Sequence, residues 1–150
     1  MPVPFIDARY RSIVLYGEGL EKIIGSPLIK PADALKHLEF LRLRQYKVKK
    51  LIKENPEWAF NIIVKNLIKV PQTLLALKGK FEYNEKQMIE MCLRYFPSFI
   101  ARASSKAYWY KERKKSFVSN KKGLERINSV CLDLLEKTID YLKTYEPSNP

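Results

Sequence analysis

The segment GLERINSVCLDLLEKTIDYLKTY, Gly123 to Tyr145, settles the class of fold before any other part of the chain is considered. Leu124, Ile127, Cys131, Leu134, Thr138, Tyr141 and Tyr145 recur at alternating spacings of three and four, the seam of a helix packed in a bundle. Val130, Leu135, Ile139 and Leu142 widen that seam to a stripe that only a surrounding core can bury. The same period recurs upstream, and the period of two that marks strands is credible only in RSIVLY, residues 11–16. The expected fold is all-α, a compact single-domain helical bundle of five to seven helices.

Working back from that segment, VSNKKG reads as a loop, and a helix from residue 98 to about 116 precedes it. Pro97 separates this helix from another that starts at Asn84, with Gln87 at capping-box spacing, and runs to about Phe96. EWAFNIIVKNLIKV is apolar on nearly all sides and reads as a central helix, with Pro71 expected to kink or interrupt it and Gly79 to close it. Pro31 suits a first helical position, so a helix runs from there to Glu54, with Leu35, Leu38, Leu41, Val48 and Ile52 facing the core. Residues 1–29 read as an N-terminal segment of short helices (7–16 and the LEKII stretch), 30–146 as the bundle and 147–150 as a frayed tail. At 150 residues the chain suits one domain.

Charge is the informative part of the composition. Twenty-eight basic and sixteen acidic residues give +12. Lys30–Lys53 and Lys106–Arg126 each hold eight basic and two acidic residues, so these two windows carry the whole excess. Solubility alone needs a net charge of about 2 to 8 with the signs interspersed, so the focusing implies an acidic partner.

Catalytic parts are scarce. There is one histidine, His37, and the four aspartates Asp7, Asp33, Asp133 and Asp140 are scattered. Asp133 and Glu136 lie a turn apart, but they read as the solvent face of the last helix. Gly17 and Gly19 form only a lone G-x-G, and the lysine that directly follows the last glycine of a phosphate loop is missing. Cys92 and Cys131 sit among apolar residues without ligand spacing and read as buried thiols in a reducing, cytoplasmic setting. No apolar stretch resembles a signal peptide or a membrane span. The expectation is a non-enzyme with no catalytic residues, no metal and no cofactor.

The chemistry that remains is binding. Arg42, Tyr46, Lys49 and Lys53 fall on one helical stripe. Arg102, Lys106, Tyr110, Arg113, Lys114, Lys115, Lys121, Lys122 and Arg126 make a second basic set, interleaved with aromatics. Cations release counterions when they meet phosphates, and aromatic rings stack on unpaired bases. Of the triplet Tyr108-Trp109-Tyr110, at least one ring must be core, and Trp109 or Tyr108 is expected there ahead of Tyr110.

No helix-turn-helix, zinc-ligand set or basic zipper is legible, so the expected contact is with the backbone of RNA or single-stranded DNA rather than with base sequence. In size, charge and helicity the chain is similar to the small helical subunits of RNA-guided CRISPR effector complexes and to helical accessory subunits of primase assemblies. That resemblance implies an accessory subunit of a nucleoprotein complex with other protein subunits as neighbours. The alternatives are an interaction or inhibitor module docking its basic faces on an acidic protein, or a self-assembling helical coat subunit. The Lys-, Ile- and Tyr-rich, Gln-poor composition also suits a thermophile.

Overall fold

The computed structural model describes residues 29–82 and 84–146. Among these are six α-helices and no strand, as the seam pattern requires: α1 (Pro31–Glu54), α2 (Pro56–Ala76), α3 (Glu85–Tyr95), α4 (Ser98–Glu112), α5 (Lys114–Val118) and α6 (Lys121–Lys143). The short helices expected at 7–16 and LEKII lie outside the described residues. No described helix is long and apolar enough to cross a membrane.

Local chemistry fixes most of the boundaries. Asparagine side chains start three of the helices, each accepting from a backbone N–H of the first turn: Asn55 from Trp58, Asn84 from Gln87 and Asn120 from Gly123, all at 3.1 Å. At Asn84 the reciprocal half of the cap comes from Glu82, whose carboxylate accepts from the Asn84 N–H at 2.9 Å. Asn120 moves the last helix start two residues earlier than expected, so Lys121 and Lys122 belong to α6 and not to a loop. The helix expected from 98 to 116 divides at Arg113 (φ −115°, ψ 24°), which makes α5 a separate turn. α2 runs through Pro71 without a break and ends where Gly79 takes φ 64°. There the Lys80 N–H reaches Leu75 O at 2.9 Å and the Gly79 N–H reaches Ala76 O at 3.1 Å, so the left-handed residue satisfies two terminal carbonyls.

The core lies between α1, α2 and α6, with α3 and α4 closing the remaining side. α1 contributes Leu38, Leu41, Val48 and Ile52, α2 contributes Phe60, Ile63, Leu67 and Leu74, and α6 contributes Leu124, Ile127, Leu135 and Ile139. Each of these apolar stripes also carries one buried amide. Gln45 sits between Leu41 and Val48 and is fully buried, as are Asn66 on α2 and Asn128 on α6 to within a few per cent. Gln45 Nε2 donates to Asn128 Oδ1 at 2.5 Å, and Gln45 Oε1 accepts from Asn66 Nδ2 at 2.7 Å. One glutamine thus ties three helices through both ends of its amide.

Register follows from these ties. α1 and α2 fold back on each other through the single residue Asn55. α1 and α6 are antiparallel: Tyr46 bonds Glu136, while Lys53, further along α1, faces Lys121 at the start of α6.

Replacing Gln45 with Ala should cost about 2–4 kcal/mol, because it strands buried amide groups on both Asn66 and Asn128. The near-isosteric triple change Gln45→Met, Asn66→Leu, Asn128→Leu should recover most of that loss, as measured by the urea midpoint.

Candidate nucleic-acid interface

While Lys30 and Lys36 lie at the far end of α1, the fold brings the C-terminal part of the first basic window and most of the second to one end of the bundle. α1 ends there, α2 and α6 begin there, and α4 arrives there before turning through α5. Phe117 of α5 stacks on Phe60 of α2 (centroids 6.1 Å apart) and lies against the first turn of α6, where a Cβ on Gly123 would meet its ring at 3.4 Å. Between α1 and α6 is a groove of about 470 Å³ lined by Tyr46, Lys49, Lys50, Lys53, Lys121 and Glu125. Residues separated by some seventy positions in sequence therefore share one surface.

Lys49, Lys53, Lys115, Lys121, Lys122 and Arg126 are all exposed, and among the described residues none has an ion-pair partner. Their neighbours are partly neutralised. Lys50 faces Glu54 at 3.9 Å, Lys114 bonds Glu57 at 3.2 Å, and Arg113 lies 3.5 Å from Glu112. Lys121 and Lys122 also occupy the first turn of a helix, where the dipole disfavours cations by about 0.3–1 kcal/mol each.

Other expected site residues are placed elsewhere. Arg102 and Lys106 lie on the flank of α4, not at this end. They line a separate groove of about 380 Å³ with Phe99, Val130, Asp133 and Lys137. Arg102 donates to Ser98 Oγ at 3.1 Å, and Asp133 pairs with Lys137 at 3.0 Å, so this groove carries both signs of charge. Asp133 and Glu136 face solvent and α1 respectively, and no cluster of metal-binding type occurs among the described residues. Arg42 is half-buried on α1. Tyr46 is exposed but committed, because its hydroxyl donates to Glu136 Oε1 at 2.7 Å, a bond that raises its pKa above the ordinary phenol value.

Tyr110 requires a correction. It is 7 % exposed and belongs to the core, so it is not available to a ligand, whereas Trp109 is 51 % exposed. The triplet 108–110 goes three ways because successive helical residues are 100° apart. Tyr108 is half-buried beside Glu85 of α3, which also holds Lys111 at 2.5 Å. Tyr110 points inward and meets Phe117 edge-on at 5.2 Å. Trp109 points outward, edge-on to both Tyr110 (5.9 Å) and Phe117 (6.0 Å), with the Arg113 guanidinium 4.0 Å from its ring centroid. The sequence could not assign these directions, because Phe117, which selects Tyr110 as the inner ring, comes from the separate turn α5.

Burial holds the two thiols and the one histidine in their neutral forms. Both cysteines are free and buried; burial pushes the Cys92 thiol up to about 12 and raises Cys131 as well. His37 Nε2 has no hydrogen-bond partner among the described residues, and burial, followed by the Lys69 charge, lowers its pKa to about 4. Comparison with protein-family models, with curated proteins and with solved structures returned no match to this chain.

Two outcomes are expected. Tyr110→Ala should destabilise by about 3 kcal/mol through the cavity it leaves, whereas Trp109→Ala should cost about 1 kcal/mol, as read from denaturant melts. For His37 the folded pKa lies below the unfolded value of 6.5, so the unfolded state binds the extra proton. Its contribution is complete above pH 6.5 and falls as the pH is lowered towards 4. The loss between about pH 6.5 and 5 should be on the order of 1 kcal/mol after solvent screening of a partly exposed ring. His37→Gln should flatten that part of the stability profile.

Proposed function

We propose that this protein is a non-catalytic, sequence-independent binder of nucleic-acid backbone, acting as a small helical accessory subunit of a nucleoprotein complex such as an RNA-guided effector or a primase assembly. The observation that carries the reading is the convergence of parts of both basic windows, Lys49–Lys53 and Lys115–Arg126, at one end of the bundle. Six cations there have no ion-pair partner among the described residues, with Glu125 the one acidic side chain lining the groove beside them. A phosphodiester strand supplies regularly spaced negative charge, and its capture releases condensed counterions from each neutralised phosphate. The groove between α1 and α6 gives such a strand a direction to follow, from Lys49 and Lys53 across to Lys121.

The surface suits backbone rather than base-edge recognition. Its exposed cations are predominantly lysines, compact point charges on flexible stems, and not the bidentate arginine forks that read guanine edges. Two free buried thiols suit an intracellular, reducing setting. An acidic protein partner is the competing reading, and the salt response of strand binding separates the two.

The experiment is a titration of single- and double-stranded RNA and DNA between about 50 and 200 mM salt. Lys49→Ala with Lys53→Ala and Lys121→Ala should weaken binding and reduce the slope of log K against log salt by about 0.7–0.9 for each phosphate no longer neutralised. Arg102→Ala with Lys106→Ala, on the flank, should change it far less. Undiminished binding by the triple variant would remove the groove from the site, and the absence of strand binding at about 50 mM would favour the acidic protein partner.

A further inference from the structure

Both tryptophans of the chain, Trp58 and Trp109, are more than half exposed, at 57 % and 51 %. Both stand at the basic end: Trp58 follows Glu57, which holds Lys114 of α5, and Trp109 packs on Phe117 of the same turn. Leaving an indole in water forgoes apolar burial worth about 25 cal/mol per Å². A ring kept at the surface is therefore a candidate for contact with something outside the molecule.

Trp109 is also held still. Tyr110 and Phe117 meet its ring at interplanar angles of 74° and 71°, the Arg113 guanidinium lies 4.0 Å from its centroid, and Arg113 Nη1 donates to the Trp109 carbonyl at 3.1 Å. The brace extends without interruption into the cationic surface, because Phe117 also touches the first turn of α6, where Lys121 and Lys122 stand. A fixed, half-exposed ring beside unpaired cations combines the two elements of single-strand recognition: a stacking surface and a backbone track.

We propose that Trp109 is a stacking platform for an unpaired base of a single-stranded nucleic acid, whose phosphates pass over Lys115, Lys121 and Lys122. The proposal rests on the nucleic-acid reading of the basic end and narrows its substrate class. The base adds to the Arg113–Trp109 stack, and the phosphates on either side meet lysines that have no ion-pair partner among the described residues. A duplex keeps its base faces inside its own stack, and exposing one costs a few kcal/mol, so this geometry selects unpaired strands over duplex.

Intrinsic fluorescence tests this directly. In Trp58→Phe, Trp109 is the sole tryptophan of the chain. Oligo-dT and oligo-rU of about 12 nucleotides should quench its emission, whereas an abasic strand of the same length should bind through its phosphates and leave the emission unchanged. In the otherwise native chain, Trp109→Ala should weaken binding of the base-bearing strands by roughly 5- to 150-fold while leaving the abasic strand unaffected. Trp109→Leu, which keeps bulk against Phe117, should show the same loss, so misfolding cannot account for it. A preference between dT and rU would assign the strand chemistry.

Equal binding of base-bearing and abasic strands by all variants, with no selective quenching, would overturn the platform while leaving the basic surface intact. Equal quenching by a blunt duplex would also overturn it. No binding of any strand at about 50 mM salt would overturn both the platform and the reading on which it rests.

Discussion

The fold depends on one buried glutamine. Gln45 interrupts the apolar stripe of α1 and has no access to water, so both ends of its amide must find partners inside the protein. Asn66 and Asn128 supply them from two other helices. Leu, Ile and Val seams tolerate sliding by a turn, because one apolar contact substitutes for another at little cost. An amide triad does not, since a one-turn slip leaves three buried amides unpaired. The bond thus sets the depth at which α1, α2 and α6 meet, and a hydrophobic core alone would set it only loosely.

That depth determines where the charge goes. With Gln45 level with Asn128 and the two helices antiparallel, the end of α1 falls opposite the start of α6. The lysines of 49–53 then face Lys121. Asn55 and Asn120 reinforce the arrangement, because each cap ends a linker at one or two residues and holds the next helix start at the same end. The rings of Phe60, Tyr110 and Phe117 fill the space beneath, and in doing so they leave Trp109 outside. Core packing and surface chemistry at this end are therefore two faces of the same aromatic cluster.

How much of this the sequence discloses depends on the range of the physics involved. The seam of α6, the cap at Asn84 and the stop at Gly79 are local, and each is legible from spacing and residue type. So is the stripe of Tyr46, Lys49 and Lys53. The direction of Tyr110 is not legible, because it is decided by Phe117 across a helix break that itself lacks a proline or glycine signal. Gln45 and Asn66 look like isolated polar residues until the third amide is brought to them. The separation of Arg102 and Lys106 from the other cations is equally non-local. They stand only two or three helical turns before Arg113, yet they turn towards Asp133 and Lys137 on a different flank.

The uncompensated cations place a limit on what this end of the molecule can be. Two like charges about 8 Å apart repel by about 0.5 kcal/mol in water, and physiological salt screens much of that. Several such pairs, together with lysines against the α6 dipole, cost the fold a few kcal/mol at most, an amount a bundle with this core can carry. The repulsion would vanish if glutamates stood where Lys49, Lys53 or Lys122 stand, and the helical pattern would be unaffected because all three positions are exposed. Nothing in the packing requires lysine there. On the proposed reading, a polyanion laid across the same lysines turns the repulsion that opposes folding into attraction that favours binding.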